Sequence, residues 1–306
     1  MIMPGRRYHL ETAADERKND RLLLKSVIQR NWSRVGSGVL EKADGKTEPC
    51  FVKQYIDRTG ATHRDHLRYE HDGAQVAASA LGEIVIVPAL LLKDEQRLLN
   101  IFTQVELITV DELLREDEHA FWQYYPLLLD RLADVLAQLE ASTTLVDTSS
   151  LPVKVRDYRS RGLALNFKGF EIRNTGYRLP LTSGNGNSPT TLPPVVMFDF
   201  VRPYLAPIEE AAAKLLISIG LLNWGKPLTR FIKGPDIDML DMAHHYIGDW
   251  THRDALEAEL AIQRGFRFDA IKGANRSESG LKKIGLRSIG HRYLGQLGKW
   301  VENHYE

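Results

Sequence analysis

Residues 51–55 read Phe51-Val52-Lys53-Gln54-Tyr55, and residues 67–74 read Leu67-Arg68-Tyr69-Glu70-His71-Asp72-Gly73-Ala74. The first stretch alternates apolar and polar residues, as a half-buried strand does. A lysine inside such a strand needs a reason, although most isolated ones simply face water. The second stretch belongs to a helix expected over Arg64 to Leu81. Glu70 falls in phase with Leu67, Ala74 and Ala77 on the inward face, whereas Asp72 does not. A strand lysine followed by an inward-facing helix glutamate makes an ion pair the first thing to look for. Upstream, Gly36-Ser37-Gly38 lies between two strand-like runs. A glycine turn there lets backbone amides approach phosphates closely, and a tight hairpin needs the same glycines. Asp44-Gly45 marks a hairpin turn just before the lysine strand.

Outward from this centre, Ile84–Val87, Leu90–Lys93 and Arg97–Val105 read as strands. Residues 1–30 are polar, turn helical near Asp20 to Gln29, and read as an N-terminal extension. Phe121, Tyr125, Leu128, Leu132, Val135 and Leu139 form one helical stripe. Pro207 opens a further helix and Gly225 closes it. Asp236–His245, His252–Arg264 and Ile289–Asn303 are also helical in pattern. Leu163 to Phe200 breaks that pattern with short strands around an inserted Gly/Ser/Asn/Pro loop, residues 182–194. The expectation is an α+β chain. Residues 31–104 carry five strands and one helix, and residues 105–306 are mostly helical. Asn174 closes the segment Phe167 to Asn174, and Asp199 ends the apolar run Val195-Val196-Met197-Phe198. An aspartate there is placed to hold a metal, or else caps a turn after a core strand.

In order and spacing these pieces resemble the protein-kinase-like superfamily over roughly residues 30 to 225. The pattern is most similar to the bacterial branch that contains aminoglycoside phosphotransferases, choline-kinase relatives and lipopolysaccharide kinases. No Ala-Pro-Glu motif follows Asp199, which separates the chain from eukaryotic protein kinases. The resemblance implies a two-lobed fold with ATP and Mg2+ bound in a cleft between the lobes. Gly36 and Gly38 would cover the phosphates, Lys53 would bind the α- and β-phosphates, and Glu70 would hold Lys53. Asn174 and Asp199 would hold Mg2+. Gln104 and Glu106, in the connection Thr103 to Leu107, would present their backbone to adenine.

The pattern breaks at one position. The family's catalytic loop reads histidine, any residue, aspartate, four further residues, asparagine. With Asn174 as the asparagine, Phe167 stands for the histidine and Gly169 for the aspartate. Glycine cannot orient a substrate hydroxyl or accept its proton. Asp157, in Val155-Arg156-Asp157-Tyr158, fails as a substitute register because its downstream partner would be Gly162. Three readings stay open. The chain is a pseudokinase with a regulatory or assembly role that retains Mg-ATP binding. Or it is an active phosphotransferase for a small molecule, sugar or lipid headgroup, with Glu171 as a displaced base. Or it is a non-catalytic interaction protein that uses a basic C-terminal segment.

Composition bounds these readings. Lysine plus arginine and aspartate plus glutamate both number 40, so the chain has no overall basic excess for nucleic acid. A single cysteine, Cys50, excludes an intramolecular disulfide and a multi-cysteine zinc site. The N-terminus lacks the apolar run of a signal peptide, and no segment approaches the roughly 20 apolar residues of a membrane span. Cytoplasmic residence is the simplest expectation. The basic stretch Lys272 to Lys299 is either a solvated helix face or a docking patch for a protein or an anionic surface. The second case would place the chain peripherally at the inner membrane surface. His244-His245 point about 100° apart on a helix and do not share one ligand face.

Overall fold

The computed structural model describes residues 4–5, 7–9, 20–29, 33–55, 61–145, 147–181, 191–222, 236–248, 250–274, 292 and 294–304. The chain divides into two compact units. The first comprises Met1–Leu107, Phe167–Gly169 and Val196–Pro203, and the second comprises Ile108–Asn166, Phe170–Val195 and Tyr204–Glu306.

Unit 1 is built on a seven-stranded sheet. Its strands are β1 (Arg7–His9), β2 (Arg21–Leu24), β3 (Ile28–Gln29), β4 (Ser33–Glu41), β5 (Thr47–Tyr55), β6 (Leu90–Asp94) and β7 (Leu99–Thr103). The order is β1-β2-β4-β5-β7-β6, with β3 also paired to β4. The β4–β5 hairpin turns where Asp44-Gly45 predicts it, with Gly45 at a φ of 82°. Helix α1 (Ala61–Leu81) follows β5 as expected.

Three expectations need correction. Ile84 to Val87 is not a strand: Ile86 makes only an isolated bridge, to Val196. Asp20 to Gln29 is not helical: β2 and β3 extend the sheet, and Leu22 and Leu24 are fully buried in it. The run Arg21-Leu22-Leu23-Leu24 suits either state by periodicity, and pairing with β4 decides it. Gly36 and Gly38 are not a turn either. They lie inside continuous strand β4, opposite Val52 and Cys50 of β5. A Cβ at Gly36 would sit 2.1 Å from the Ser26 carbonyl oxygen, and one at Gly38 would sit 2.6 Å from that of Leu23. These glycines let the neighbouring chain pack against β4.

The β2–β3 path carries a β-bulge opposite Ser37. The amides of Lys25 and Ser26 both donate to the Ser37 carbonyl, at 2.9 and 3.2 Å. Such a bulge re-aims side chains locally. Here the Ser26 and Ser37 hydroxyls meet at 2.8 Å. Sheet register then sorts the faces, because paired residues share a face and successive residues alternate. Leu22, Leu24, Leu40, Cys50, Val52, Leu92, Leu99 and Ile101 form one apolar core. Gly36 and Gly38 belong to that face. Val35, Ser37, Phe51, Lys53, Asn100 and Phe102 belong to the other.

Unit 2 holds helices α2 (Val110–Glu116), α3 (Glu118–Leu145), α4 (Ile208–Gly220), α5 (Ile237–Gly248), α6 (Arg253–Ala274) and α7 (294–304). Thr109 and Glu112 form a capping box at the start of α2. Every residue of α4 is buried, including Glu209, Glu210 and Lys214. Strand β8 (Leu107–Thr109) runs into α2, and β9 (Leu163–Asn166) pairs antiparallel with β12 (Tyr204–Pro207). A 3-10 turn, Ile172–Asn174, leads into β10 (Thr175–Arg178), and β11 (Val195–Met197) precedes Asp199. Residues 182–190 of the inserted loop, Gly225, and most of the basic stretch (275–291 and 293) lie outside the described residues. No helix among the described residues is long and apolar enough to cross a membrane.

Candidate active site

Lys53, Glu70 and Asp199 meet within unit 1. The Lys53 Nζ donates to Glu70 Oε1 at 2.7 Å and to Asp199 Oδ1 at 2.7 Å. Strand β5 aims Lys53 away from the apolar core. Helix α1 packs on that side and brings Glu70, which is 3% exposed. The other Glu70 oxygen accepts from the Tyr55 hydroxyl in a short contact and from Asn100 Nδ2 at 3.2 Å. Asn100 is opposite Lys53 in the β5–β7 register, and Tyr55 lies two residues along the same face. The glutamate is therefore fixed from three sides.

The electrostatics follow from this packing. Burial works to lower the Lys53 pKa, but the charges of Glu70 and Asp199 outweigh it and hold the amine above the ordinary lysine value. Burial, then the Glu70 charge, pushes the Tyr55 phenol upward, so it stays a donor. One ammonium faces two carboxylates, and the Asp199 side chain is 39% exposed against 5% for Glu70. Asp199 is thus the carboxylate still open to solvent. Its φ of 63° lies in the left-handed region, which aspartate tolerates better than most residues and which costs conformational energy.

The segment bearing Asp199 is docked on α1 by backbone. The Arg202 amide donates to the Tyr69 carbonyl at 3.0 Å, and a Cβ on Gly73 would lie 2.4 Å from the Phe200 carbonyl oxygen. A helix-interior glycine costs about 1 kcal/mol relative to alanine and so asks for a reason. The close approach of Phe200 is that reason. Gly73→Ala should therefore lower unfolding free energy by roughly 1–3 kcal/mol through overpacking, instead of gaining from helix propensity. Urea denaturation decides this, and a stabilised variant would mean that the contact relaxes without cost.

Phe167, at the histidine position, is fully buried and packs edge-on against Phe200 with ring centroids 4.9 Å apart. The Lys168 amide donates to the Val201 carbonyl at 2.8 Å. Apolar and backbone contacts thus tie the start of the loop to the Asp199 segment. Gly169 has no side chain to offer there.

Asn174 and Glu171 belong to unit 2. The Asn174 amide donates to the Glu171 carbonyl at 3.0 Å, and the Ile172 amide donates to Ser218 Oγ of α4 at 3.0 Å. The Glu171 carboxylate is shared: Oε2 accepts from Arg173 at 3.2 Å and Oε1 from Arg267 of α6 in a short contact. Gln104 and Glu106 are both exposed after β7, and the Gln104 amide donates to the Pro49 carbonyl at 3.2 Å. Ser26 and Ser37 were not singled out from the sequence. Their hydroxyls converge on the Lys53 face, where the glycines do not.

A second polar cluster, not visible in the sequence, lies in unit 2 next to β9. Lys214 of α4 reaches Asn166 Oδ1 at 3.3 Å, Glu210 at 3.1 Å, and the Tyr204 hydroxyl. Glu210 also accepts from Lys154 at 2.8 Å and Arg156 at 3.0 Å, and Arg156 continues to Glu259 of α6. Burial brings the Lys214 amine down to about 8, with Glu210 opposing. The unfolded amine titrates near 10.4. Between these values the unfolded chain holds a proton that the folded chain lacks, so this group makes stability rise with pH from about 8 to about 10.4. Subtracting the stability curve of Lys214→Met should expose that rise, on the order of 3 kcal/mol, and flatness below pH 8. A flat difference across the whole window would mean that the amine stays charged when folded. Among the described residues no cluster of histidine, cysteine and carboxylates is arranged to hold a metal, and His244 instead packs against Trp300 of α7.

No protein-family profile matches the chain, and no curated protein matches it. Solved structures do. An amicoumacin kinase, hAmiN, in complex with AMP-PNP, Ca2+ and Ami, superposes with a TM-score of 0.52 over 94% of this chain and 91% of that one, at 9% identity. At that identity the likeness establishes the fold: the chain has the two-lobed, kinase-like α+β architecture.

Proposed function

We propose that this protein binds ATP with a divalent cation through the Lys53–Glu70–Asp199 constellation and acts as a pseudokinase with a regulatory or assembly role. One observation carries the reading. A lysine, half-buried on a strand, is held at 2.7 Å by a helix glutamate and at 2.7 Å by a partly exposed aspartate. Sheet or helix packing alone gives no reason to desolvate an amine beside two carboxylates. A triphosphate supplies one: Lys53 would take phosphate oxygens, Glu70 would keep it aimed, and Asp199 would face the cation. The carboxylate oxygen of Asp199 suits a hard cation such as Mg2+, and Asp199 is the residue of unit 1 that would hold it. When bound, such an ion neutralises phosphate charge. Ser26 and Ser37 take over the phosphate-facing role that the glycine pair suggested, since they share a face with Lys53. The peptide groups of 104–106, including Gln104 and Glu106, remain the candidates for adenine. The hAmiN complex contains AMP-PNP and Ca2+, which supports nucleotide and cation binding on this architecture.

The pseudokinase part rests on Gly169 and on the engagement of Glu171 by two arginines, which leaves the loop without an available carboxylate. An active phosphotransferase for a small molecule, sugar or lipid headgroup is the second reading, and it needs Glu171 released. Calorimetric titration with ATP tests the proposal. Affinity should rise at least about tenfold when Mg2+ is added, and that rise should vanish in Asp199→Asn. No heat at millimolar ATP would end the nucleotide reading. Rapid ADP formation by the wild type would end the pseudokinase reading alone.

A further inference from the structure

We propose that Arg173 and Arg267 form an anion-binding site in unit 2 for the phosphate group of a phosphorylated small molecule, and that Glu171 occupies it as an internal stand-in. The proposal does not depend on the nucleotide reading. A single carboxylate bridges the two guanidinium groups, one oxygen to each. Each guanidinium carries five N–H donors. Each spends one of them on Glu171, and among the described residues neither makes a further hydrogen bond or ion pair. The pair thus keeps a net positive charge and a set of unspent donors. The side chains of Arg173 and Arg267 are 43% and 26% exposed, so both reach solvent.

Three features separate this arrangement from an ordinary surface ion pair. Glu171 is the only acidic residue between Phe167 and Asn174, a segment that also contains Lys168 and Arg173. Its side chain is 17% exposed, so the bridge is partly shielded from water. Its backbone is anchored independently, because the next amide is fixed to Ser218 Oγ and its own carbonyl accepts from Asn174. The carboxylate can therefore swing out without unravelling the turn. Planar guanidinium pairs bind phosphate in forked geometry, and a dianion compensates two arginines better than one carboxylate does. The extended conformation of Glu171, which caps the 3-10 turn without any side-chain bond to it, leaves the carboxylate free for the arginines.

The test is titration with inorganic phosphate and with glycerol 3-phosphate at constant ionic strength, without ATP, followed by calorimetry. Acetate serves as the carboxylate arm. Wild type should bind phosphate saturably in the millimolar range, and acetate should bind at least about fivefold more weakly. Glu171→Gln should tighten phosphate binding about fivefold or more, because it removes the internal competitor. Arg173→Met and Arg267→Met should each weaken it by a similar factor. Arg267→Lys keeps the helix charge should the methionine variant fail to fold. Lys46→Met, which removes an exposed hairpin lysine of unit 1, should leave phosphate binding unchanged, which separates the site from a general effect of surface charge. The proposal is overturned by absent saturation, by indifference to both arginines, or by a weaker Glu171→Gln. The last result would mean that the bridge is purely structural.

Discussion

Lys53→Met should lose at least about 100-fold in Mg-ATP affinity and about 3 kcal/mol of folding stability. Methionine keeps the stem's volume, so the change isolates the ammonium. Its removal leaves Glu70 buried with Tyr55 and Asn100 as its donors and, among the described residues, no ion-pair partner. Breaking one partner out of a buried pair typically costs roughly 3–5 kcal/mol, and partial exposure of Asp199 argues for the lower end. The sign with pH is fixed by the direction of the shift. Because the folded Lys53 pKa is raised, its contribution is fully present below the unfolded value of about 10.4. It is lost only as pH rises through the folded value. The stability difference between wild type and Lys53→Met should therefore stay flat from about pH 6 to pH 9. Glu70→Gln keeps the Tyr55 and Asn100 geometry while removing charge, and combined with Lys53→Met it should cost less than the two separate losses added together. Affinity unchanged within twofold in Lys53→Met would show that the lysine is a structural cation, and the nucleotide reading would fail with it.

How much of this was legible in the sequence differs by residue. Lys53 and Glu70 were readable because strand alternation and helix phase both point inward, and two local patterns that agree specify a contact. Asp199 was readable as the end of an apolar strand. The glycines misled, because composition announces small residues but not which face they occupy. Gly36 and Gly38 serve the apolar face, opposite Val52 and Cys50, and not the face of Lys53. The bulge at Lys25-Ser26 depends on one extra residue relative to β4, and no local pattern shows an unequal count between two strands. Asn100 joins the site only through the β5–β7 register, a long-range fact. Tyr55 was within reach, since it shares the face of Lys53 two residues on. The Lys214 cluster was hidden for a different reason. Glu209, Glu210 and Lys214 on α4 look like a solvated face, yet the helix is buried on all sides. Their partners Lys154 and Arg156 come from a segment whose alternation is inverted, with Val153 and Val155 exposed.

Gly169→Asp should turn the loop into one that handles a nucleophile, and ATP turnover is the readout. Positioned general bases contribute about 100- to 10,000-fold, so Mg-dependent ADP release should rise at least about 100-fold over wild type. The neighbouring contacts that set the loop are made by Phe167 against Phe200 and by the Lys168 amide, not by Gly169's missing side chain. Water is the acceptor in this assay, which removes the need to know a substrate. The rise must disappear in Gly169→Asp/Asp199→Asn, since the cation's ligand is then gone. The outcomes separate the remaining readings cleanly. A rise confined to Gly169→Asp says that the wild type is a nucleotide-binding protein disarmed at one position. No rise, with ATP binding intact, says that the missing carboxylate is not the only lost part and that the loop now serves contacts. High turnover already present in wild type, sensitive to Glu171→Gln, says that Glu171 leaves its arginines during the reaction and that the active phosphotransferase reading is correct.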